Sequence, residues 1–345
     1  MRTHVDAASH PRIVFGGDVM LGRLVKDEIL ERGPAYPLGS VAPFMRTADL
    51  TVVNLECAIT GREAVWEGEA KAFYFGAPPA AADSLADAGV DLVSLANNHS
   101  LDFGRQGLID TLALLRERGI AVAGAGRNVE EALAPAVVDR AGIRFGMAAF
   151  CDHQQDFAAG ADLPGIAFLD LDDEPAARKR FQESLDRMRE LGVEWPILSL
   201  HWGPNMVWKP SRRFVRLAHA AIEMGYAALF GHSAHIFHGI EVYRGRPIFY
   251  STGDLVDDYA VDPDFENDGQ ALFEVSLAGL AVREISMRPV FIADCRTTVA
   301  EGREFERITR RAVALCADME TLVRREGDRL IITNGRGGER ATAGG

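Results

Sequence analysis

The chain has 345 residues, 48% hydrophobic and 25% charged, with a formal net charge of −13. That composition supplies a large buried core and suits one large domain or two ordinary ones. The acid excess excludes nucleic acid and anionic membrane as partners held by a bulk field, and leaves room for a local cationic site that attracts an anionic substrate.

In chain order, RIVFGGD (12–18) reads as a strand ending at a Gly-Gly-Asp turn, and ADLTVVNLE (48–56) as a strand ending in polar residues. AADSLADAGV (81–90) has helical spacing. DLVSLANNH (91–99) is a buried strand followed by three polar residues. RQGLIDTLALLRERGI (105–120) places Leu108, Leu112 and Leu115 on one helical face. A strand at 144–152, a long amphipathic helix at 174–192, a strand at 194–203, a helix at 212–225 and a strand at 226–232 follow. This β-α-β alternation predicts an α/β fold with helices covering the sheet. From about residue 239 the pattern turns to antiparallel hairpins, with Arg244-Gly245-Arg246 as a turn. We expect a main domain over 12–296, a C-terminal helical extension over 297–334 and a disordered Gly-rich tail over 335–345.

The four cysteines, Cys57, Cys151, Cys295 and Cys316, form no Cys-x-x-Cys pair, so neither a cysteine zinc site nor a disulfide framework is expected. We read them as reduced, in keeping with a cytoplasmic protein. The opening MRTHVDAASHP lacks the apolar core of a secretion signal. No apolar run reaches the roughly 18 residues of a membrane span.

Polar residues recur where apolar strands stop: Asp18, Asn54 and Glu56, Asn97-Asn98-His99, His201, and His232 with His235. At the carboxyl ends of strands in an α/β sheet, such residues face one crevice. Carboxylate, amide oxygen and imidazole together suit Mn²⁺, Zn²⁺ or Fe better than Mg²⁺ or Ca²⁺. Taken singly, each has an ordinary reading: a turn residue, a capping amide or a packed histidine. Asp254, Asp257 and Asp258 in STGDLVDDY lie after another strand and either line the same crevice or form a solvated turn, of which we prefer the turn. His238 is read as packing, and His153 as a further candidate.

The segments GGDVMLGR, VVNLECAIT, KAFYFGAPP, VDLVSLANNHSLDFG, GIAVAGAG, LHWGPN and FGHSAHIFHGIEVYRGRPIFYSTGD resemble, in order, the CapA family of poly-γ-glutamate capsule biosynthesis proteins. That family is a branch of the calcineurin-like metallophosphoesterases. The resemblance implies a four-layer α-β-β-α sandwich with antiparallel strands in its C-terminal part. It also implies one or two divalent metal ions. Asp18, Glu56 and His235 would hold the first; Asn98, His201 and His232 would hold the second, with Glu56 bridging. His99 would act at the leaving group. Asp102, three residues on, is placed to orient it. Arg23 and Lys71 are candidates for holding a substrate carboxylate or phosphate.

Two departures bear on the metal count: Met20 stands where the superfamily has a histidine, and the last motif reads Gly-His-Ser-Ala-His. The reading is a soluble metal-dependent hydrolase acting on a phosphoester or a γ-glutamyl or amide bond of a small-molecule or polymer substrate. The alternative is a non-catalytic accessory protein of poly-γ-glutamate biosynthesis that binds an anionic polymer or a synthase. Neither nucleic acid nor a membrane span enters either reading.

Overall fold

A computed structural model describes residues 10–335, so residues 336–345 of the expected tail lie outside the described residues. Among the described residues the strands form two main sheets, one ten-stranded and one six-stranded. The α/β class predicted from the alternation is the one observed.

The ten-stranded sheet has a parallel half and an antiparallel half. Arg12–Val19, Leu50–Leu55, Leu92–Ser94 and Ala121–Ala123 run parallel. On the other side of Arg12–Val19 come Gly269–Ala278 and Ala281–Ala293, both antiparallel. The six-stranded sheet is built on three parallel strands, Ile143–Cys151, Trp195–His201 and Ala228–His232. The hairpin Ile240–Tyr243/Arg246–Phe249 closes one side of it. Arg244 and Gly245 both have positive φ, 50° and 76°. The turn expected over Arg244-Gly245-Arg246 is thus one of two residues, Arg246 already pairing with Tyr243, and its left-handed backbone suits the twist of the paired strands.

The two sheets face each other across an aromatic core. Phe15 of the large sheet meets Phe230 and Phe249 of the small one, each at 5.4 Å between ring centroids. Phe249 meets Phe273 at 5.1 Å. Each fully buried ring contributes about 1.5–3 kcal/mol.

Strand alternation explains what faces where. In the small sheet, Trp195, Ile197, Phe145, Met147 and Phe230 belong to this inter-sheet core. Their sequence neighbours Leu198, Leu200, Phe150 and Leu229 pack instead with Phe181, Leu185 and Leu217 from the helices Glu174–Glu190 and Arg212–Met224. Those helices start at Asp173 and Ser211, whose side chains accept from the backbone N–H groups of Ala176 and Phe214. By the same alternation His201 and His232 fall on the inter-sheet side.

The expected turn at Gly16-Gly17-Asp18 does not occur: the first strand runs through to Val19. Its glycines serve close approach. Asp18 N–H donates to the Gly253 carbonyl at 2.8 Å. A Cβ on Gly17 would lie 1.9 Å from that oxygen. The strand Asp254–Val256 pairs there in parallel, with Asp18 opposite Asp254. Gly17→Ala therefore forces backbone apart in the core, and we expect it to destabilise the protein by at least roughly 3 kcal/mol in urea denaturation. A loss below about 1 kcal/mol would show that the two backbones do not meet.

The C-terminal segment also departs from expectation. Residues 302–318 are helical, but Thr321–Glu326 and Arg329–Asn334 form a hairpin that extends the ten-stranded sheet along Ala281–Ala293. Charged residues at Arg324, Arg325 and Glu326 masked the strand pattern. They sit on an edge strand, where charge blunts unwanted pairing.

Candidate metal centre

The parallel register brings strand-end residues level with one another. Asp18 lies opposite Asn54 on one side and Asp254 on the other. In the facing sheet His201 lies opposite His232. The carboxyl ends of both sheets therefore meet over one cluster, and Asp18, Asn54, Glu56, His201, His232, His235 and Asp254 are all buried there.

Two groups of side chains stand close enough to share an ion: Asp18, Glu56 and His235, and Asp18, His201 and His232, with ligand atoms within 4.8 Å of one another. The first is the trio expected from sequence. The second brings Asp18 to the expected His201 and His232, so Asp18 stands in both groups, beside the Glu56 expected to bridge. Glu56 reaches the second group as well, with Oε1 3.7 Å from His201 Nε2. Asn98 is half-buried on the wall of the adjoining cavity beside His99, and its Oδ1 is buried without a hydrogen-bond partner. Glu56 Oε1 and Asp254 Oδ2 are likewise buried and unpartnered. Orphaned acceptors of this kind cost about 1–3 kcal/mol each unless something cationic meets them. The donor set therefore fits a divalent cation bound by nitrogen and oxygen.

The electrostatics point the same way. Burial, with Asp18 and Asp254 nearby, pushes the Glu56 carboxyl well above its ordinary range. Burial raises Asp18 as well. Asp254 is driven well up by burial and by Asp257, and Asp257 is itself pushed up to about 6 by burial. Burial holds His201 well below its usual value and His232 down to about 3. The imidazoles are thus neutral, the form that binds a metal. His201 and His232 approach through their Nδ1 atoms at 2.9 Å, and His232 Nε2 meets Ser199 Oγ at 2.9 Å. A cation bound there would favour the ionised carboxyls that burial disfavours.

The loop that carries the last two histidines is conformationally forced. Ser233 and His235 have φ of 104° and 58°, a region sparsely used by residues with side chains. In return Ser233 N–H donates to Asp18 Oδ2 at 3.2 Å. His235 Nδ1 lies 2.8 Å from Asp254 Oδ1 and 3.7 Å from Asp18 Oδ2.

The sequence placed Asn54 and Asn97 at strand ends but gave no sign of their role as supports of this cluster. Asn54 Nδ2 donates to Asp18 Oδ1 at 2.8 Å and to Glu56 Oε2 at 3.2 Å. Asn97 Nδ2 donates to Asn54 Oδ1 and to the Leu55 carbonyl, while its Oδ1 accepts from His99 N–H. The expected solvated turn at 254–258 is instead interior: Asp254 and Asp257 are buried, and the Asp258 side chain is 0% exposed. The signal available was position, since STGD follows an apolar strand as the other motifs do. Met20 packs in the main hydrophobic core. His153 meets the His201 ring edge-on at 5.5 Å, and His238 Nε2 donates to the Val207 carbonyl at 2.6 Å.

Beside the cluster, His99 Nδ1 lies 2.6 Å from Asp102 Oδ2, and His99 Nε2 lies 4.0 Å from Glu56 Oε1. The spacing that suggested an orienting Asp102 corresponds to this contact. Burial lowers the His99 pKa against the pull of Asp102. The cluster opens on a cavity of about 500 Å³ lined by Arg23, Lys71, Phe73, Asn98, His99, Met206, His235 and Tyr259, among others. Both residues expected to hold substrate are therefore on its wall. The Arg23 guanidinium lies over Phe73 at 4.4 Å, its Nε is 3.3 Å from Asp258, and its Nη1 has no hydrogen-bond partner.

Residues 12–259 match the family model described as "Bacterial capsule synthesis protein PGA_cap". The chain belongs to that family. Among relatives, this capsule synthesis family member is 32% identical over 294 residues to a probable polyglutamine synthesis accessory protein of Mycobacterium tuberculosis, covering 72% of this chain and 74% of that one. It is 27% identical over 288 residues to the capsule biosynthesis protein CapA of Bacillus anthracis, covering 79% and 68% respectively. A solved structure of sulfate thiohydrolase SoxB from Thermus thermophilus aligns over 94% of this chain and 65% of its own, at 11% identity and a TM-score of 0.49. That likeness carries no weight here. All four cysteines are free. No helix among the described residues is long and apolar enough to cross a membrane.

Proposed function

We propose that this capsule synthesis family member is a metal-dependent hydrolase that uses activated water on a phosphoester or on a γ-glutamyl or amide bond. The observation that carries the reading is the adjacency of two cation-ready ligand groups to a His99–Asp102 pair, both at one cavity. A purely structural cation site gives a buried imidazole–carboxylate pair on the cavity wall nothing to do.

In this reading Asp18, Glu56 and His235 hold one divalent ion, and His201, His232 and Asp18 or Asn98 hold a second. Bound there, Mn²⁺, Zn²⁺ or Fe would acidify water and polarise the phosphoryl or carbonyl oxygen under attack. Arg23, on the cavity wall, offers its guanidinium for a substrate carboxylate or phosphate. Asp102 accepts from His99 Nδ1–H and so leaves Nε2 as the working nitrogen. His99 takes a proton on Nε2, is held as imidazolium by Asp102, and delivers the proton to the departing alkoxide or amine. The four free cysteines accord with a reducing, cytoplasmic setting.

A second reading has one specific support: the Mycobacterium relative is named an accessory protein of polyglutamine synthesis. In it the chain binds an anionic polymer or a synthase, and the metal only braces the fold. Metal analysis of the purified protein, followed by phosphomonoester, phosphodiester and γ-glutamyl p-nitrophenyl or anilide substrates with added Mn²⁺, separates the two. Turnover that follows metal loading is the result expected. Tight metal with no turnover across the panel would overturn the hydrolase reading in favour of the accessory one.

A further inference from the structure

Between the short parallel strands Ala58–Ile59 and Gly76–Ala77 the chain makes an excursion away from the main sheets. That excursion closes on Asp102, through both its backbone and its side chain. Trp66 N–H donates to the Asp102 carbonyl at 2.8 Å, and Phe75 N–H donates to Asp102 Oδ2 at 2.7 Å. Lys71 Nζ donates to Asp102 Oδ1 at 2.5 Å and also to the Asn98 carbonyl. The excursion is itself pinned. Trp66 Nε1 donates to Asp156, and the Trp66 ring meets Phe157 edge-on at 5.0 Å.

The donor count then assigns roles. An ammonium has three hydrogens and accepts nothing. Two of those of Lys71 are spent on Asp102 and on the Asn98 carbonyl, and Nζ stands 5.1 Å from the centroid of the Phe157 ring. The Lys71 side chain is only 8% exposed. Lys71 therefore has little left for a substrate anion, unlike Arg23 with its unpartnered Nη1. Meanwhile Asp102, ion-paired and given a backbone N–H, is an acceptor on both oxygens. His99 Nδ1, 2.6 Å away, has to be the donor to it. Lys71 Nζ also lies 3.1 Å from that same Nδ1; with Nδ1–H given to Asp102 this is a contact of two donors that share one carboxylate, not a hydrogen bond.

We propose that Lys71 is a positioning residue, not a substrate anchor: through Asp102 it fixes the tautomer and ring plane of His99, and the excursion 60–75 exists to deliver it. This rests on the hydrolase reading for its catalytic consequence but not for its structural content.

The test compares Lys71→Ala and Lys71→Met with Arg23→Ala. If Lys71 positions His99, Lys71→Ala lowers kcat by about 10²-fold and leaves KM within about twofold, and added methylammonium restores part of the rate. Arg23→Ala does the reverse, raising KM. Independently of turnover, ¹⁵N spectra of the metal-free protein, with His99 assigned by difference from His99→Gln, show a single Nδ1-protonated tautomer in the wild type. They show a mixture of tautomers in Lys71→Met. Lys71→Arg keeps the charge and the wild-type spectrum, which separates loss of the contact from failure to fold. A Lys71→Ala enzyme with raised KM and unchanged kcat, or a Lys71→Met protein with an unchanged His99 tautomer, overturns the proposal. If the wild type turns over nothing, the hydrolase reading fails and the spectra alone decide the role of Lys71.

Discussion

His99→Ala is expected to purify folded, to keep the metal content of the wild type and to lose activity by about 10²–10⁴-fold. The size is that of a positioned acid–base group. Metal retention follows from geometry. His99 belongs to neither ligand group, and its nearest approach to the cluster is 4.0 Å, from Nε2 to Glu56. Removing the ring also leaves Asp102 with Lys71 and the Phe75 N–H, so no buried charge is stranded. The measurement is kcat at saturating substrate alongside metal analysis of the same preparation. Loss of metal in step with loss of activity would place His99 in the ligand shell and refute its assigned role.

Glu56→Gln is expected to weaken divalent-metal binding by at least about 100-fold in calorimetric titration. Changes in groups that merely orient ligands already weaken affinity about 10–100-fold, and Glu56 stands inside a ligand group. The same substitution changes how stability depends on pH. Glu56 and Asp254 are held above their ordinary values by burial and by neighbouring carboxylates. The stability they contribute is present when they are protonated and is lost as pH rises through their folded-state pKa. His201, His232 and His235 are depressed by burial, so their contribution is present above about 6.5 and is lost as pH falls. Well above pH ~6.5 these three imidazoles are neutral whether the chain is folded or not, so the slope there comes from the raised groups, the carboxyls together with His153. In chelator, wild-type Tm should therefore fall as pH rises beyond the histidine range and through the raised folded-state pKa of Glu56 and Asp254. Saturating Mn²⁺ should abolish the fall, and Glu56→Gln should shrink it even in chelator. A metal-free Tm that is flat or rises over that interval would mean the buried carboxyls are not the strained element.

Much of this was legible in the chain itself. Apolar runs that stop at Asp18, at Asn54 and Glu56, at His201 and at His232 mark strand ends by a local grammar. Strand ends in an α/β sheet share a crevice, so the convergence was readable from pattern, while the grouping into ligand sets came from the resemblance to the CapA family. What was not legible depends on contacts between distant segments. Asp254 looked like a turn residue because its strand is three residues long and exists only by pairing with the first strand. The hairpin over 321–334 hid its alternation under arginines, and only the free edge of Ala281–Ala293 gives it a place. That Asp18, alongside Glu56, also approaches the His201–His232 side was out of reach of the sequence as well.

The ligands of the centre come from both sheets, the first at position 18 and the last at position 235. During synthesis about two-thirds of the chain, through position 235 of 345, must emerge before any ion could find a complete set of donors. Loading with metal would then follow assembly of the two layers and not guide it, and a product truncated before position 235 would lack the full donor set.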